Sequence, residues 1–520
     1  MALISIIQDF HPLNNQKLLD RAEQLKPVLY HTVCEPVGAF RLKERYSPEK
    51  TDAALSELPQ IAMGKGENLC LDFGKHMVGT LTLDLSCTGS HQDAPAFLKL
   101  KFAETPAELW ENSGEYDGWL SRSWIQEEYL HIDLLPARLE LPRRYAFRYL
   151  KITVLDTSPK YKITVTHAEC TTVTSADFQA LEPFGSGDEL LDRIYTVSLR
   201  TLADCMQDVF EDGPKRDRRL WMGDLRLLAL TNYVSFRNTD LVKRCLYLFA
   251  GSRFPDGRVS AAVFTNPSPE ADDTFFFDYS LMFVTALEEY LEETGDGEAL
   301  SDLYDIAMQQ IDYALEQCVE NDLIRSETVK DSFIDWRDEL DKSACAQAVL
   351  IYTLHYAEQL ARRKNDTVRA ERLICRRDAL CRAAVQKYWD EEKDLFVSHG
   401  QVSAATQAWM VLADVPSPTQ AGEILLKAAA LREGQAMTTP YMHHYFVMAL
   451  LHAGLREEAA AHLKSYWGSM LDAGADTFWE YWDSEHPDDS PYGGRVVNSY
   501  CHAWACTPAY INRRFLLPRP

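Results

Sequence analysis

The sequence predicts a multidomain α and β protein. An N-terminal antiparallel β-sandwich over residues 1–180 precedes a helical domain over 181–520, whose paired helices form an (α/α)6 barrel. Three observations point there. The chain has 520 residues, too many for one ordinary domain. From about residue 60 to 172 the apolar positions recur every second residue. From about residue 188 they recur with the helical period of about 3.6.

The strands come first. Leu81, Leu83 and Leu85 alternate with Thr80, Thr82 and Asp84, and Leu98, Leu100 and Phe102 with Lys99, Lys101 and Ala103. Leu150, Ile152 and Val154 alternate with Lys151 and Thr153, and Ile163 and Val165 with Lys162, Thr164 and Thr166. Each segment is expected to have one buried and one wet face. About twelve candidate helices follow, near 188–208, 223–235, 239–250, 276–294, 297–318, 343–363, 366–388, 402–413, 417–431, 439–454, 456–469 and 499–515. Gly251, Pro255, Gly257, Gly295, Gly297, Pro416, Pro418, Gly434 and Gly454 punctuate them. Paired helices stacked in a ring account for this count, and so does a generic bundle. The lack of a fixed-length repeat counts against a solenoid. In a ring, the helix-joining loops at one end surround a concave pocket of the kind that holds sugars.

Composition sets the class. Hydrophobic residues are 46% and charged residues 25%, as in a globular protein, which excludes a disordered, collagen-like or disulfide-knotted chain. The net charge of −25 repels nucleic acid and anionic membranes, so neither is an expected partner; its plain reading is solubility. No stretch approaches the ~20 apolar residues that span a bilayer. The opening MALISIIQDFHPLNNQ lacks the basic start and small-residue cleavage site of a signal peptide. Twelve cysteines contain no C-x-x-C, the nearest pairs being Cys375/Cys381 and Cys501/Cys506. Scattered reduced thiols and a cytoplasmic location are expected, with no metal and no cofactor.

Two segments are dense in chemistry. Between Glu211 and Asp224, four carboxylates and four basic residues fall within fourteen positions. Gly213 and Pro214 prevent a regular helix there, so this is a loop before the helix near 223. Its arginines can hold carboxylates by forked hydrogen bonds, or the whole can be a salt-bridged surface loop. The second segment is Gly474-Ala475-Asp476-Thr477-Phe478-Trp479-Glu480-Tyr481-Trp482-Asp483. An acid between Trp479 and Trp482 belongs either to a sugar-stacking wall or to an aromatic core helix with an outward glutamate. Phe333-Ile334-Asp335-Trp336-Arg337-Asp338-Glu339, Asp278-Tyr279, His443-His444 and His502 are further candidates. A lone histidine on an aromatic face is more often a hydrogen-bonded core residue. In the sheet half, Trp110, Trp119 and Trp124 flank the loop ENSGEYDGW; a packing loop is the preferred reading, a reach toward a pocket the other. The G-x-S-x-G elbow, the phosphate-binding glycine loop and the H-E-x-x-H helix are all absent.

Together these segments resemble the inverting α-L-rhamnosidases, glycoside hydrolase family 78. That family's Asp-Cys-Pro-x-Arg-Glu-x-x-x-Trp-x-x-Asp signature is similar, with equal spacing, to Asp212-Gly213-Pro214-Lys215-Arg216-Asp217-Arg218-Arg219-Leu220-Trp221-Met222-Gly223-Asp224. Its Gly-Ala-Thr-Thr-x-Trp-Glu resembles Gly474–Glu480, and its Ser-x-x-His-Ala resembles Ser499-Tyr500-Cys501-His502-Ala503. In the sheet half, Leu71–Gly79 and Ala146–Leu150 resemble the family's "DFGxNMxG" and "GFRYxxV" strands.

The resemblance implies a glycosidase with Asp217 as general acid and Glu480 as general base. It implies sugar contacts from Asp212, Asp224, Arg216, Trp221, Trp336 and His502, to which the candidates Asp278 and Trp479 are added. Aspartate stands at 217 where the family usually has glutamate, about 1.5 Å shorter in reach; Glu211 is the spare candidate. Many relatives carry a further β-domain after the barrel, and this sequence ends at Pro520. The expected ligand is a small carbohydrate, with an assembly of identical copies left open. Another 6-deoxy sugar, L-arabinose or a uronate, or sugar binding without catalysis, are the alternatives.

Overall fold

The computed structural model describes residues 10–44, 47–337, 339–431 and 436–517. The opening residues 1–9, Asp338, the breaker Gly434 and Pro520 lie outside the described residues.

The N-terminal part is β-rich. Its main sheet is built from β1 (Tyr30–Cys34), β2 (Gly38–Leu42), β3 (Lys50–Ala53), β4 (Asn68–Gly89), β5 (Ala96–Ala103), β6 (Glu127–Ile132), β7 (Ala137–Glu140), β8 (Tyr145–Asp156) and β9 (Tyr161–Thr174). All pairings are antiparallel and run β1-β9-β4-β8-β5-β6. β4, with 22 residues, also pairs with β2 and β7. The predicted alternation shows in its side chains: Leu81, Leu83 and Leu85 are buried in one apolar core with Leu98, Leu100, Phe102, Leu150, Ile152 and Val154.

The expected wet face is a correction. Lys101, Lys151 and Thr153 are buried. The chain between β5 and β6 folds back across that face. There the Lys151 Nζ donates to the Leu109 carbonyl at 2.9 Å, and the Lys101 Nζ donates to the Glu111 carbonyl and the Ser113 hydroxyl, both at 2.9 Å. A second small cluster of Phe40, Leu42, Cys70, Ala103, Leu109 and Tyr149 seals it.

The helical part contains α1 (Glu189–Cys205), α2 (Met222–Tyr233), α3 (Thr239–Gly251), α4 (Phe277–Thr294), α5 (Gly297–Gln317), α6 (Ser343–Arg363), α7 (Thr367–Tyr388), α8 (Ala404–Leu412), α9 (Pro418–Ala429), α10 (Pro440–His452) and α11 (Arg456–Asp472). Stops follow local chemistry: Gly295 ends α4 in the left-handed conformation at φ 67°, and Asp296 caps α5 through the N–H groups of Glu298 and Ala299. Alternate helices touch in sequence. α2 contacts α4, α4 contacts α6, α6 contacts α8, α8 contacts α10, and α10 and α2 both contact the short turn Ala503–Cys506, so the contacts close on themselves. These inner helices are apolar around most of their circumference, and every residue of α2 is buried.

Two differences from the sequence reading stand out. The predicted helix 499–515 is instead a 3-10 turn (Ala503–Cys506), a single α turn (Pro508–Ile511) and a π turn (Asn512–Leu516). Residues 498–502 stay extended because the His502 N–H donates to the Phe478 carbonyl and the Ala503 N–H to the Asp212 carbonyl. Pro508 then denies any longer helix an N–H. An unforeseen helix, Gln16–Gln24, docks on α3, with Leu18, Leu19 and Ala22 in the core of the helical part.

Candidate active site

The inner helices present their N-terminal ends to one cavity. Asp224 lies in the first turn of α2 and Asp278 in the first turn of α4. The loop 331–337 precedes α6, and His502 precedes the turn that closes the ring. This cavity has a volume of about 470 Å³; a separate hollow of about 830 Å³ lies at the junction of the sheet with α1. The former is lined by Asp212, Arg216, Asp217, Trp221, Asp224, Trp336, Glu480 and His502, with Tyr279, Phe333, Tyr492 and Trp504 behind them.

Arg216 organises its floor. Its Nη2 donates to Glu480 Oε2, and its Nη1 lies 3.9 Å from Asp217 Oδ1. One guanidinium therefore stands between the two carboxyl groups. Arg216 is itself fixed by an Nε–H bond to the Val497 carbonyl at 2.6 Å and by the Tyr492 ring, whose centroid lies 4.0 Å from the Arg216 Cζ. The Tyr492 hydroxyl donates to Glu480 Oε1, and Trp504 Nε1 donates to the Glu480 carbonyl at 3.0 Å. Asp212 shapes the loop: its Oδ2 accepts the Asp217 N–H and its Oδ1 the Arg219 N–H, both at 3.0 Å.

Burial and crowding set the charges. Burial, then the nearby Asp217, pushes Asp212 up to about 8. Burial, then Asp212 and Glu480, holds Asp224 well above the usual carboxylate value. Burial raises Glu480 too, while Arg216 and Tyr492 pull it back. Burial keeps His502 well below the usual imidazole value, and hence neutral. Asp224 Oδ1 and His502 Nδ1 are 3.5 Å apart and both lack a hydrogen-bond partner, as does Trp336 Nε1. Buried polar atoms left unpaired around a cavity fit a ligand that carries hydroxyl groups.

The structure thus brings together Asp217, Glu480, Asp212, Arg216, Trp221, Asp224, Trp336 and His502. Asp278 and Trp479 do not line the cavity. Asp278 accepts the N–H groups of Phe333 and Ile334 at 3.0 and 3.1 Å, and so holds the loop that carries Trp336. Trp479 is buried against Trp482 and Tyr500. The spare acid Glu211 is engaged by Arg144, at 2.7 and 2.8 Å. His443 and His444 are buried in α10, away from this cavity.

Sequence reading missed two contributors. Tyr492 sits in the PYGG turn between the second and third motifs, where a tyrosine among glycines was the available signal. The loop 116–124 corrects the preferred packing reading: Trp119 and Trp124 line the mouth of the cavity. Trp119 Nε1 donates to the Pro491 carbonyl at 2.9 Å, and the Tyr116 hydroxyl to the Tyr492 carbonyl at 3.0 Å. Trp110 lies elsewhere, against the small cluster on the covered face of the sheet.

Comparison with known proteins agrees with this geometry. Residues 43–172 match the glycosyl hydrolase family 78 alpha-rhamnosidase N-terminal domain, and 180–512 the bacterial alpha-L-rhamnosidase 6 hairpin glycosidase domain. A solved rhamnosidase from Klebsiella oxytoca with rhamnose bound is 44% identical, over 97% of this chain and 99% of its own, with a TM-score of 0.93. The family 78 rhamnosidase of Bacillus sp. GL1 is 21% identical, over 89% of this chain and 49% of its own, with a TM-score of 0.73. The Streptomyces avermitilis α-L-rhamnosidase complexed with L-rhamnose is 17% identical, over 96% and 46%, with a TM-score of 0.69. At those identities the last two speak for the fold alone. No curated protein matches the sequence. The β-rich N-terminal part and the six-hairpin part are therefore those of a glycosidase acting on O-glycosyl bonds, and the chain belongs to glycoside hydrolase family 78.

Proposed function

We propose that the protein is an α-L-rhamnosidase that releases a terminal sugar from small glycosides with inversion at the anomeric carbon. The observation that carries this reading is the Arg216 fork, which faces Asp217 with one nitrogen and Glu480 with the other inside one cavity. In this reading Asp217 protonates the glycosidic oxygen. Glu480 takes a proton from a water that attacks from the opposite face. Inversion needs about 6.5–9.5 Å between the two carboxyl groups to leave room for that water. A guanidinium interposed between them keeps them apart. Asp212, Asp224, His502 and Trp336 take the sugar hydroxyls with their buried polar atoms, and Trp221 supplies an aromatic wall. The 44% identical relative with rhamnose bound supports rhamnose as the sugar.

On methyl α-L-rhamnoside, whose leaving alkoxide must be protonated, Asp217→Asn and Glu480→Gln are each expected to lower turnover by at least about a hundredfold. A proton NMR time course should show the β-anomer of free rhamnose first. Near-normal turnover by the Asp217 variant would remove the acid role from that residue, and an initial α-anomer would remove the water-activating role from Glu480. Of the other sugars, a uronate fits least: the two arginines that line the cavity are already engaged, Arg216 by Glu480 and Arg219 by Asp272, so an anionic sugar finds no free cation there among the described residues.

The same reading covers the finer architecture. Within residues 1–180 we take the sheet from Tyr30 to Thr174 as a β-sandwich, with 13–24 docked on the helices, and we take the closed chain of helix contacts in 181–520 as an (α/α)6 barrel. Among the described residues, no helix is long and apolar enough to cross a membrane. Twelve unpaired cysteines suit a reducing cytoplasm.

A further inference from the structure

The catalytic segments come from three separate stretches of the helical part, and each is tied to the sheet part by buried charge. Lys215 precedes Arg216 and Asp217 in the loop. Its ammonium is almost fully buried and donates to Glu108, on the short helix Pro106–Trp110, and to the Asn498 carbonyl at 2.8 Å. Glu104, just after β5, lies 3.6 Å from Lys215 through Oε2, and the same oxygen accepts the Tyr500 N–H at 2.8 Å. Its Oε1 faces His76 Nε2 at 3.0 Å, while His76 Nδ1 faces Asp204 Oδ2 on α1 at 2.7 Å. Only a doubly protonated ring donates to both carboxylates. The His76 backbone N–H donates to Asp476 Oδ2 at 2.8 Å, four residues before Glu480. Glu104, Glu108, His76 and Lys215 are all at most 2% exposed.

A set of buried charges of this kind is a poor way to gain stability. Desolvation offsets most of the attraction, and apolar side chains of equal volume do as well or better. What it supplies is register. Each group accepts only a partner at a fixed distance and direction, and a shift of about 1 Å at a catalytic group costs about a hundredfold in rate. Lys215 is joined to the chain two residues from the acid. Its two bonds run one to the sheet part and one to the strand that leads into His502.

We propose that Lys215, with Glu108 and Glu104 of the sheet part, acts as a positioning unit that sets the acid loop against the His502 segment, so that the sheet part is a component of the catalytic apparatus. This rests on the reading of Asp217 as the general acid. If it holds, the unit matters most where the leaving oxygen needs a proton.

The test compares two substrates: methyl α-L-rhamnoside, whose methoxide must be protonated to depart, and 2,4-dinitrophenyl α-L-rhamnoside, whose phenolate departs unaided. Lys215→Met leaves Glu108 without its partner, so the Lys215→Met/Glu108→Gln pair is made alongside it. The pair removes both charges, keeps an acceptor for the Glu104 and Thr105 N–H groups that Glu108 holds, and is expected to keep the thermal midpoint near that of wild type. In both proteins, kcat on the methyl glycoside is expected to fall at least thirtyfold and on the dinitrophenyl glycoside less than threefold. Lys215→Arg should restore part of the loss. An equal fall on both substrates would assign the unit a purely structural role and overturn the proposal. So would wild-type rates on both in a folded double variant. A wild-type protein inert on both glycosides would instead sink the rhamnosidase reading, an Asp217→Asn variant with wild-type kcat on the methyl glycoside would sink the acid assignment, and either would take this inference with it.

Discussion

At the scale of single residues, the cavity collects groups that a folded chain would otherwise avoid. Asp224 is buried beside two other carboxyl groups, and one of its oxygens has no partner. Its pKa in the folded protein is therefore well above that of the unfolded chain, where it titrates near 3.9. Below that value both states hold the proton, and nothing is lost. As pH rises, the unfolded chain releases its proton first, so folding stability falls until the folded pKa is passed. Asp224→Asn removes this cost without changing the shape of the side chain. The variant is expected to unfold at a higher temperature than wild type. The gain should grow from pH 5 to pH 8, while rhamnoside turnover is lost. Calorimetric scans at the two pH values check it; a gain that shrinks with rising pH would mean that Asp224 is ionised in the folded protein. A carboxyl kept at such a cost fits a hydroxyl-binding role.

At the scale of elements, close approach decides what can change. α2 meets α4 at Gly223, where an added Cβ would lie 2.4 Å from Tyr279 Cζ. Tyr279 is buried among Phe276, Phe333 and Tyr441 and has nowhere to move. Gly223→Ala is expected to lower stability by about 1–3 kcal/mol, read as a lower urea midpoint with an unchanged slope. It should also weaken rhamnose inhibition, since Asp224 is the next residue. Most of these elements were legible beforehand. Alternation marked β4, β5, β8 and β9, and helical spacing with glycine or proline breaks marked α1 to α11, because both patterns record a buried face. What the patterns do not record is a second burial event. Lys101 and Lys151 read as solvent-facing because nothing local announces the chain that covers them. The last predicted helix failed for a related reason: its apolar, aromatic run 499–506 is buried without forming a regular helix, and His502 and Trp504 from it face the cavity. In the site, the charged loop and the second motif were legible as dense, oddly placed polarity. Asp278 had the right composition, but both its oxygens are taken by the Phe333 and Ile334 N–H groups, and Trp119 reaches the cavity only through a fold that no spacing encodes.

At the scale of the whole molecule, the chain is threaded so that its parts hold each other. The sheet and the helices have separate apolar cores, and separate cores alone would favour separate unfolding. The threading opposes this. Residues 13–24 belong to the helical part: Leu13 and Asn14 pair with Arg253 and Ser252, the Asn15 N–H donates to the Gly251 carbonyl at 2.7 Å, and Leu18 and Leu19 enter the helical core. The chain then builds the sheet and re-enters at α1, where the Ser175 N–H donates to the Met206 carbonyl at 2.8 Å. The sheet is thus tied to the helical part at both of its ends and, between them, by Arg148, which bridges Asp72 and Asp476. Opening the sheet part alone would leave the three cavity-lining segments without their partners, and opening the helical part would release both ends of the sheet. A single calorimetric transition is expected for the intact protein. Leu19→Asp places a carboxylate against Gly251, whose would-be Cβ lies 2.5 Å from Leu19 Cδ2, and so frees one of the ties. That variant is expected to unfold in two resolved steps or at a midpoint several degrees lower. Two steps already present in the wild-type protein would show that the ties do not couple the cores.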